Sequence, residues 1–504
     1  MRLTDLLREA GLADRSSPGW PPRDVDISGI AYSSREAGHG DLFFALPGHL
    51  THGAHYAAQA VQFGAVAVVT DPVGAGIIAD SLPNSGVPIV ELVEPRRSMA
   101  FVARAFYGDP ASHLAMLGVT GTNGKTSVTY LLRAALHSVG VPCGVVGTIG
   151  ARLPDGTPIE QARTTPESPD LQQVLAHMRD AGASTVAMEV SSIAVREGRV
   201  DGVGFDVMGF TGLSHDHLDY HGTMDAYFAA KAELFDSDRA AVGVVMVDDA
   251  WGERLRDSAG IPVITTTTRF DVEADWRARR SGATVLIEGP ESAELTLPIP
   301  TDFAVANSIL TIAIAASRGV PAQKSADAIA AARVPGRMEV VDSVEGIDFV
   351  VDYAHSPDSI EKVVNSAVAQ RADGPGRVIV VLGAGGDRDR QKRPAMGRAA
   401  SNGDVVVVTD DNPRSEDPAA IRDTVRRGVD VGSAQVHEIS PREKAIEWAV
   451  EIAQAGDVVL VLGKGHEAFQ ELADGVVPFD DRLVLASFVR RRFHHDGGGQ
   501  GENT

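Results

Sequence analysis

The run Gly118-Val-Thr-Gly121-Thr122-Asn123-Gly124-Lys125-Thr126-Ser127 has the residue types and spacing to hold a polyphosphate. An apolar run, Leu114-Ala-Met-Leu117, precedes it, and a helical pattern, Val128 to Val139, follows. Glycines let backbone N–H groups turn toward an anion, and the helix N-terminus adds positive partial charge. A lysine in this setting reaches the terminal phosphates, and a neighbouring hydroxyl can ligate Mg²⁺. Lys125 and Thr126 stand in those two places. The general pattern puts its first glycine at the position of Val119, one residue after Gly118. The strand-to-helix setting still favours a nucleotide loop over an unliganded glycine turn, and it predicts ATP binding.

Other residues could act beside it. Glu189 closes an apolar run, Ala187-Met-Glu-Val190, where an acid can meet Mg²⁺; a plain surface glutamate is the competing reading. The segment Ser214-His-Asp-His-Leu-Asp-Tyr-His-Gly222 gathers His215, His217 and His221 with Asp216 and Asp219. It resembles a zinc-hydrolase run that misses by one residue, since Tyr220 stands where the last histidine belongs. Beside a phosphate loop, at most one imidazole is expected to touch Mg²⁺, which prefers oxygen. Lys231 sits among small and apolar neighbours, either as a snorkelling side chain or as a desolvated amine that gives up its proton and reacts with CO₂ to form a carbamate. Farther on, Gly383-Ala-Gly-Gly-Asp-Arg388 fails as a dinucleotide fingerprint, because Arg388 takes the place of the third glycine. Arg388 and Arg414 suit carboxylates and Glu467 suits an ammonium, so together they describe an amino-acid pocket. Taken singly, each is explained by an ordinary salt bridge.

The elements that must position these residues fall into three blocks. Short strands, at about Ile27–Tyr32, Asp41–Ala45 and Ala65–Val69, mark the first. In the second, alternating strands and helices imply a mostly parallel sheet covered on both faces. The third repeats that pattern with valine-rich strands whose carboxyl ends run into the loops of Arg388, Arg414 and Glu467. The chain has 504 residues, one cysteine (Cys143) and a formal net charge of −22. The charge argues against nucleic acid or anionic membrane as a partner. A lone cysteine rules out an internal disulfide framework and fits a reducing cytosol. No export signal or bilayer-spanning run is evident, so a cytoplasmic protein acting on small molecules is expected.

Taken in order, these motifs resemble the Mur ligase family over nearly the whole chain. Ser33-Ser-Arg35, Gly40-Asp-Leu-Phe43, Gly121-Thr-Asn-Gly-Lys-Thr126, Met188-Glu-Val-Ser-Ser192, Asp216-His-Leu-Asp-Tyr-His-Gly222, Gly336-Arg-Met-Glu339, Asp352-Tyr-Ala-His355 and Phe479-Asp-Asp-Arg482 carry the likeness. The resemblance implies an α/β fold of three domains. These are a uridine-nucleotide domain (1–108), a central ATPase-like parallel sheet (109–332) and a Rossmann-like amino-acid domain (333–493); the polar, glycine-rich composition of 494–504 separately predicts a disordered tail. It also implies a monomer that adds meso-2,6-diaminopimelate to UDP-N-acetylmuramoyl-L-alanyl-D-glutamate through an acyl phosphate, using ATP and Mg²⁺.

Residue by residue, the resemblance implies that Gly121 to Ser127, Asn307, Arg337 and Asp352 contact ATP. It places Mg²⁺ near Thr126, Glu189, His217 and a carbamylated Lys231, and makes Lys125, Glu189, His217 and Lys231 catalytic. Tyr32, Ser34, His49, Leu50, Thr51, Thr164, Thr165, Ser191, Glu197 and Arg199 align with contacts to the nucleotide dipeptide. Arg388, Asp411, Asn412, Pro413, Arg414, Gly463 and Glu467 align with the diaminopimelate pocket. There an unpaired buried Arg414 is expected to penalise lysine, which lacks a second carboxylate. Two departures stand out: Ile193 replaces the family's usual histidine, and Glu197 puts a carboxylate toward an anionic substrate. Pro335-Gly336 is the expected hinge.

Overall fold

A computed structural model describes residues 1–12, 23–48, 50–83, 85–161, 163–297, 299–371, 376–429 and 433–494. It contains two compact units. One comprises Met1–Arg279, Ile287–Ala293 and Ala306–Ile329, and the other Arg280–Leu286, Glu294–Val305 and Ala330–Thr504.

The first unit carries two sheets. In the N-terminal one, Gly29–Ala31, Asp41–Ala45, Ala67–Thr70 and Ile89–Glu91 pair in parallel in that order. In the larger one, Trp276–Ser281, Val263–Thr267, Ala240–Met246, Phe205–Phe210, Ala115–Thr120, Thr185–Glu189 and Cys143–Gly147 are consecutive parallel neighbours. Gly150–Arg152 and Pro158–Ile159 continue it antiparallel. Ala115–Thr120 lies between two strands that come later in the chain, so its carboxyl end is a switch point where α/β sheets leave a crevice for ligands. Its burial on both faces follows from Met116, Leu117 and Val119, all fully buried. The N-terminal sheet is tied to the larger one by the Tyr32 hydroxyl, which donates to Asp170 at 2.6 Å.

In the second unit, the order is Glu339–Val344, Ile347–Asp352, Val458–Leu462, Val378–Leu382, Val405–Val408, Gln435–Glu438. The first pair is antiparallel and the rest are parallel. The valine-rich central strands are buried on both faces by helices such as Pro357–Arg371 and Arg442–Ile452. A separate antiparallel hairpin, Phe469–Leu472 with Gly475–Pro478, follows the last central strand. The expected N-terminal strands and the valine-rich strands are present. This hairpin has no counterpart among the expected elements. Residues 495–504 of the expected tail lie outside the described residues.

Candidate active-site residues

The phosphate loop joins strand Ala115–Thr120 to helix Lys125–His137. Gly121 and Gly124 both have positive φ, at 138° and 89°. A side chain at Gly121 would collide with Thr211, and one at Gly124 with Asn307. Both positions therefore require glycine, for space and for backbone conformation. The Lys125 ammonium donates to the carbonyls of Gly121 (3.0 Å) and Thr122 (2.8 Å), curled within the loop. Thr126 is buried in the first helical turn. Asn307, from helix Asp302–Ser317, packs against the loop as expected for a residue near the nucleotide.

Lys231 reaches the same place from helix Met224–Ala232. Thr223 caps that helix by accepting from Ala226 N at 3.2 Å. Tyr227, four residues before Lys231, lays its ring beside the amine, 4.7 Å from Nζ to the ring centroid. Nζ donates to Thr120 Oγ1 (3.3 Å) and Gly121 O (2.9 Å), both uncharged. The side chain is 1% exposed, and no salt bridge reaches it among the described residues. Burial, reinforced by the nearby Lys125 charge, lowers its pKa well below the ordinary lysine value. The snorkelling alternative is thereby overturned, since the amine is not at the surface. A neutral amine in this position has the reactivity that carbamate formation needs.

Glu189 ends strand Thr185–Glu189 and is fully buried, which overturns the surface-glutamate alternative. It pairs with Val119 in register, so its carboxylate sits at the same sheet end as the phosphate loop. Thr148 orients it, with N donating to Oε1 at 2.8 Å and Oγ1 lying 3.1 Å from Oε2. The Thr148 hydroxyl also meets Thr164 Oγ1 at 3.0 Å. His217 has φ 52° and an exposed ring, 6.1 Å between centroids from Tyr227. His221 lies closer to Tyr227, at 5.1 Å, and its Nε2 is 2.9 Å from Ser192 Oγ. Among the described residues no three His, Cys, Asp or Glu side chains converge to hold a metal. The zinc-hydrolase arrangement of His215, His217 and His221 is therefore not formed. The buried oxygens of Thr126 and Glu189 fit Mg²⁺ better.

Of the residues aligned with the nucleotide dipeptide, Thr165, Ser191, Glu197 and Arg199 form one polar cluster in this unit. Thr165 Oγ1 donates to Glu189 O (2.9 Å) and accepts from Ser191 N (3.1 Å). Arg199 donates to Thr165 O at 3.1 Å and pairs with Glu197, so the unusual carboxylate is met by a guanidinium of the same cluster. Glu167, almost fully buried, lies against Arg96, Arg163 and Arg199. Ser34 donates to Gln59 at 2.9 Å. Leu50 and Thr51 are exposed, while His49 lies outside the described residues.

In the second unit three loops converge at the carboxyl ends of parallel strands. Gly386 N donates to Asn412 O at 2.8 Å, and Arg414 donates to Gly386 O at 2.8 Å. Arg393, itself buried, donates to Gly385 O and forks onto Glu416. That pairing holds the Glu416 carboxyl at about 2. The fully buried pair Arg442–Asp481 braces the strand ends, as Arg442 also donates to Leu462 O (2.9 Å) and Asp410 O (3.3 Å). Arg414 sits at φ 52°, and its Nε donates to Glu471 at 2.5 Å. It is thus paired and partly exposed, not an unpaired buried guanidinium, so the expected penalty against lysine does not arise in that form. A cavity of about 530 Å³ opens beside Arg414, Ser415, Glu471 and Asp474. Asn412 donates to Glu467 at 3.0 Å, and Gly463 lies against Asp411. Arg388 is exposed at the rim of its loop. Arg337 stacks on Tyr353 at 4.4 Å, next to Asp352, whose carboxylate accepts from Met338 N and Ala354 N. Burial raises the Asp352 pKa, with Arg337 opposing the shift. A side chain at Gly336 would collide with Gly465 and His466, so this half of the expected hinge is packed against its own unit.

Thr148, Glu167, Tyr227, Lys464 and Glu471 were not expected from the motifs. For Thr148 a signal existed: Gly147-Thr148 ends an apolar run, as Glu189 does. For Glu471 there was none.

Known proteins resemble this chain in sequence and fold. Family models described as Mur ligase family, catalytic domain; Mur ligase middle domain; and Mur ligase, glutamate ligase domain match residues 26–107, 119–315 and 336–465. The chain is 43% identical over 497 residues to the UDP-N-acetylmuramoyl-L-alanyl-D-glutamate–2,6-diaminopimelate ligase of Streptomyces avermitilis, covering 96% of each chain. It is 42% identical over 509 residues to the enzyme of the same name from Corynebacterium glutamicum, again with 96% of each covered. A solved structure of a diaminopimelate ligase of this name superposes with a TM-score of 0.65 at 31% identity, over 93% of this chain and 96% of that one.

Proposed function

The chain belongs to the Mur ligase family, and from that membership we infer that it is an ATP-dependent amide ligase. It joins 2,6-diaminopimelate, in the meso form, to UDP-N-acetylmuramoyl-L-alanyl-D-glutamate, a step in peptidoglycan precursor synthesis. The observation that carries this reading is the whole-chain likeness to ligases of that name. The chemistry of the amino-acid pocket supports it, with guanidinium groups for carboxylates and Glu467 for an ammonium. Among the described residues no helix is long and apolar enough to cross a membrane. We assign the enzyme to the cytoplasm, as a monomer whose domains run 1–108, 109–332 and 333–493.

In the first step the glutamyl γ-carboxylate attacks the γ-phosphate of ATP, giving an acyl phosphate and ADP. Lys125 and the backbone N–H groups of Gly121 to Ser127 hold the polyphosphate, with Asn307, Arg337 and Asp352 on the nucleoside. Thr126, Glu189, His217 and Lys231, the last as its carbamate, would hold Mg²⁺. When bound, that ion neutralises charge developing on the transferred phosphoryl group. The carbamate forms when the neutral Lys231 amine adds to CO₂, making one N–C bond and releasing one proton. Tyr32, Ser34, His49, Leu50, Thr51, Thr164, Thr165, Ser191 and Arg199 orient the nucleotide dipeptide, while Glu197 tempers the Arg199 charge. In the second step the diaminopimelate amine attacks the acyl carbon and phosphate leaves. Arg388, Asp411 to Arg414, Gly463 and Glu467 hold the amino acid.

Ligation assayed with diaminopimelate, lysine and other amino acids separately tests the assignment. Phosphate release should require both the nucleotide dipeptide and diaminopimelate. A strong preference for lysine would overturn the specificity, and phosphate release without either acceptor would overturn the ligase reading.

A further inference from the structure

We infer that Lys464 is the positioning residue of the amino-acid pocket: its buried ammonium holds Asn412 and Glu467 in the arrangement that receives the ammonium group of the incoming amino acid. The inference rests on the pocket assignment made above.

Lys464 is fully buried at the end of strand Val458–Leu462. Its Nζ lies 3.1 Å from Asn412 Oδ1, 3.4 Å from Glu467 Oε2 and 2.5 Å from Phe469 O. An ammonium has three N–H donors and no acceptor. All three are taken, so Lys464 has nothing left to offer a ligand and acts through its partners. Asn412 Nδ2 also donates to Glu467 Oε2 at 3.0 Å. One oxygen of Glu467 is therefore held twice, while Oε1 has no hydrogen-bond partner among the described residues. Asn412 Oδ1 in addition accepts from Glu471 N at 3.0 Å, and Arg414 N donates to Glu471 O at 3.1 Å. A single cation thus ties together the loop of Asn412 and Arg414, the loop of Glu467 and the hairpin that begins at Phe469.

The arrangement also opposes the neutralisation of Glu467. Burial raises the pKa of its carboxyl, and the Asp411 charge adds to that. Lys464 and the Asn412 amide oppose the rise. Arg442 and Tyr353 also face this carboxylate. Removing Lys464 leaves Asp411 and burial less opposed, so the Glu467 pKa climbs. The carboxylate is the form that binds an ammonium, so the acidic limb of kcat/KM for the amino acid moves to higher pH.

The test is steady-state ligation by the full chain with Lys464→Met and Lys464→Gln. Both should raise KM for diaminopimelate roughly 10- to 100-fold, as expected when a charge-assisted contact is lost. KM for ATP should stay within about twofold, because the ATP contacts named above do not include Lys464. The acidic limb should shift upward in both variants and shift no further when either is combined with Glu467→Gln. An unchanged KM and limb would overturn the inference. So would an equal loss for every substrate with no movement of the limb, which is the mark of a purely structural lysine. If Glu467→Gln alone leaves KM for diaminopimelate unchanged, the pocket assignment falls instead. Should neither Lys464 variant fold, a ¹³C titration of Glu467 in the unaltered protein decides: ionised at neutral pH supports the role, and titration above neutrality overturns it.

Discussion

Lys231 and Lys464 are both among the largest fully buried side chains, yet their surroundings are opposite. The Lys231 amine meets a hydroxyl, a carbonyl and an aromatic ring, and the Lys125 charge weighs on it more than the opposing Asp216 charge. Lys464 meets an amide oxygen, a carbonyl and a carboxylate. Burial disfavours the charged form of any lysine, and a carboxylate within reach restores it. One position therefore holds an amine whose proton is loosened by burial, while the other holds an amine engaged by a carboxylate. The difference separates a lysine whose amine is freed to react from one that positions its neighbours, and it is set by one partner, Glu467, that Lys231 lacks.

The largest expected effect breaks the reactive side of that comparison. Lys231→Ala should lower turnover by at least about 10²- to 10³-fold, the range for loss of a strong electrostatic stabiliser. A small carboxylic acid should restore part of it by supplying the missing anion. A Lys231→Ala protein with unimpaired turnover would remove the carbamate from the mechanism.

Stability against pH sharpens the same point. The pKa of Lys231 is lowered on folding, so between the folded value and the ordinary lysine value the unfolded chain binds more protons. Stability contributed through this group therefore rises with pH across that window and is flat above it. In CO₂-free buffer Lys231→Met should melt a few degrees above the unaltered protein at neutral pH, with the gap closing as pH approaches the ordinary lysine value of 10.5. A gap that widens with pH would show that the amine is charged in the folded state.

The next effect concerns Arg414, which shares the Lys464 network. Arg414→Ala should raise KM for diaminopimelate about 10- to 100-fold, the equivalent of about 1.5–3 kcal/mol for a charge-assisted hydrogen bond. KM for ATP should hardly move. Because Glu471 already pairs with Arg414, the distal carboxylate of the ligand must share or displace that partner, which keeps the net gain modest. Equal rises in both KM values would place Arg414 outside the amino-acid pocket.

How much of this could be read in the chain differs between the two lysines. The phosphate loop is local: Gly121 to Ser127 lie within seven positions, and strand, turn and helix follow one another. Lys231 was conspicuous because a lysine interrupts a run of alanines and aromatics. Its partners Thr120 and Gly121, however, are 111 and 110 residues away, so its burial against uncharged groups could not be read. The loops of Arg388, Arg414 and Glu467 showed their residue types, and their convergence followed from parallel strands ending on one side. Lys464 stood in plain view between two glycines, yet its role depends on Asn412, 52 residues earlier. The hairpin at Phe469 was illegible because its strands are short and mostly exposed, with no alternation of apolar and polar positions. Glu471 joined the site through it.

The smallest effect is expected at Glu197, where the first unit contains a pairing like that of Lys464 but at a half-open position. Arg199 divides its guanidinium among Glu197, Glu167 and the Thr165 carbonyl. Glu167 is almost fully buried and shared by Arg96 and Arg163, so it belongs to the frame. Glu197 is more accessible, with 21% of its side chain exposed, and competes with any anionic ligand for Arg199. Replacing it by glutamine keeps a hydrogen-bond acceptor and removes the competing charge. Glu197→Gln should therefore lower KM for the nucleotide dipeptide about two- to fivefold, the scale of a partly exposed ion pair. It should leave KM for diaminopimelate and the pH profile untouched. If instead KM for the nucleotide rises, the carboxylate is holding Arg199 in place, and Glu197 stands to Arg199 as Lys464 stands to Glu467.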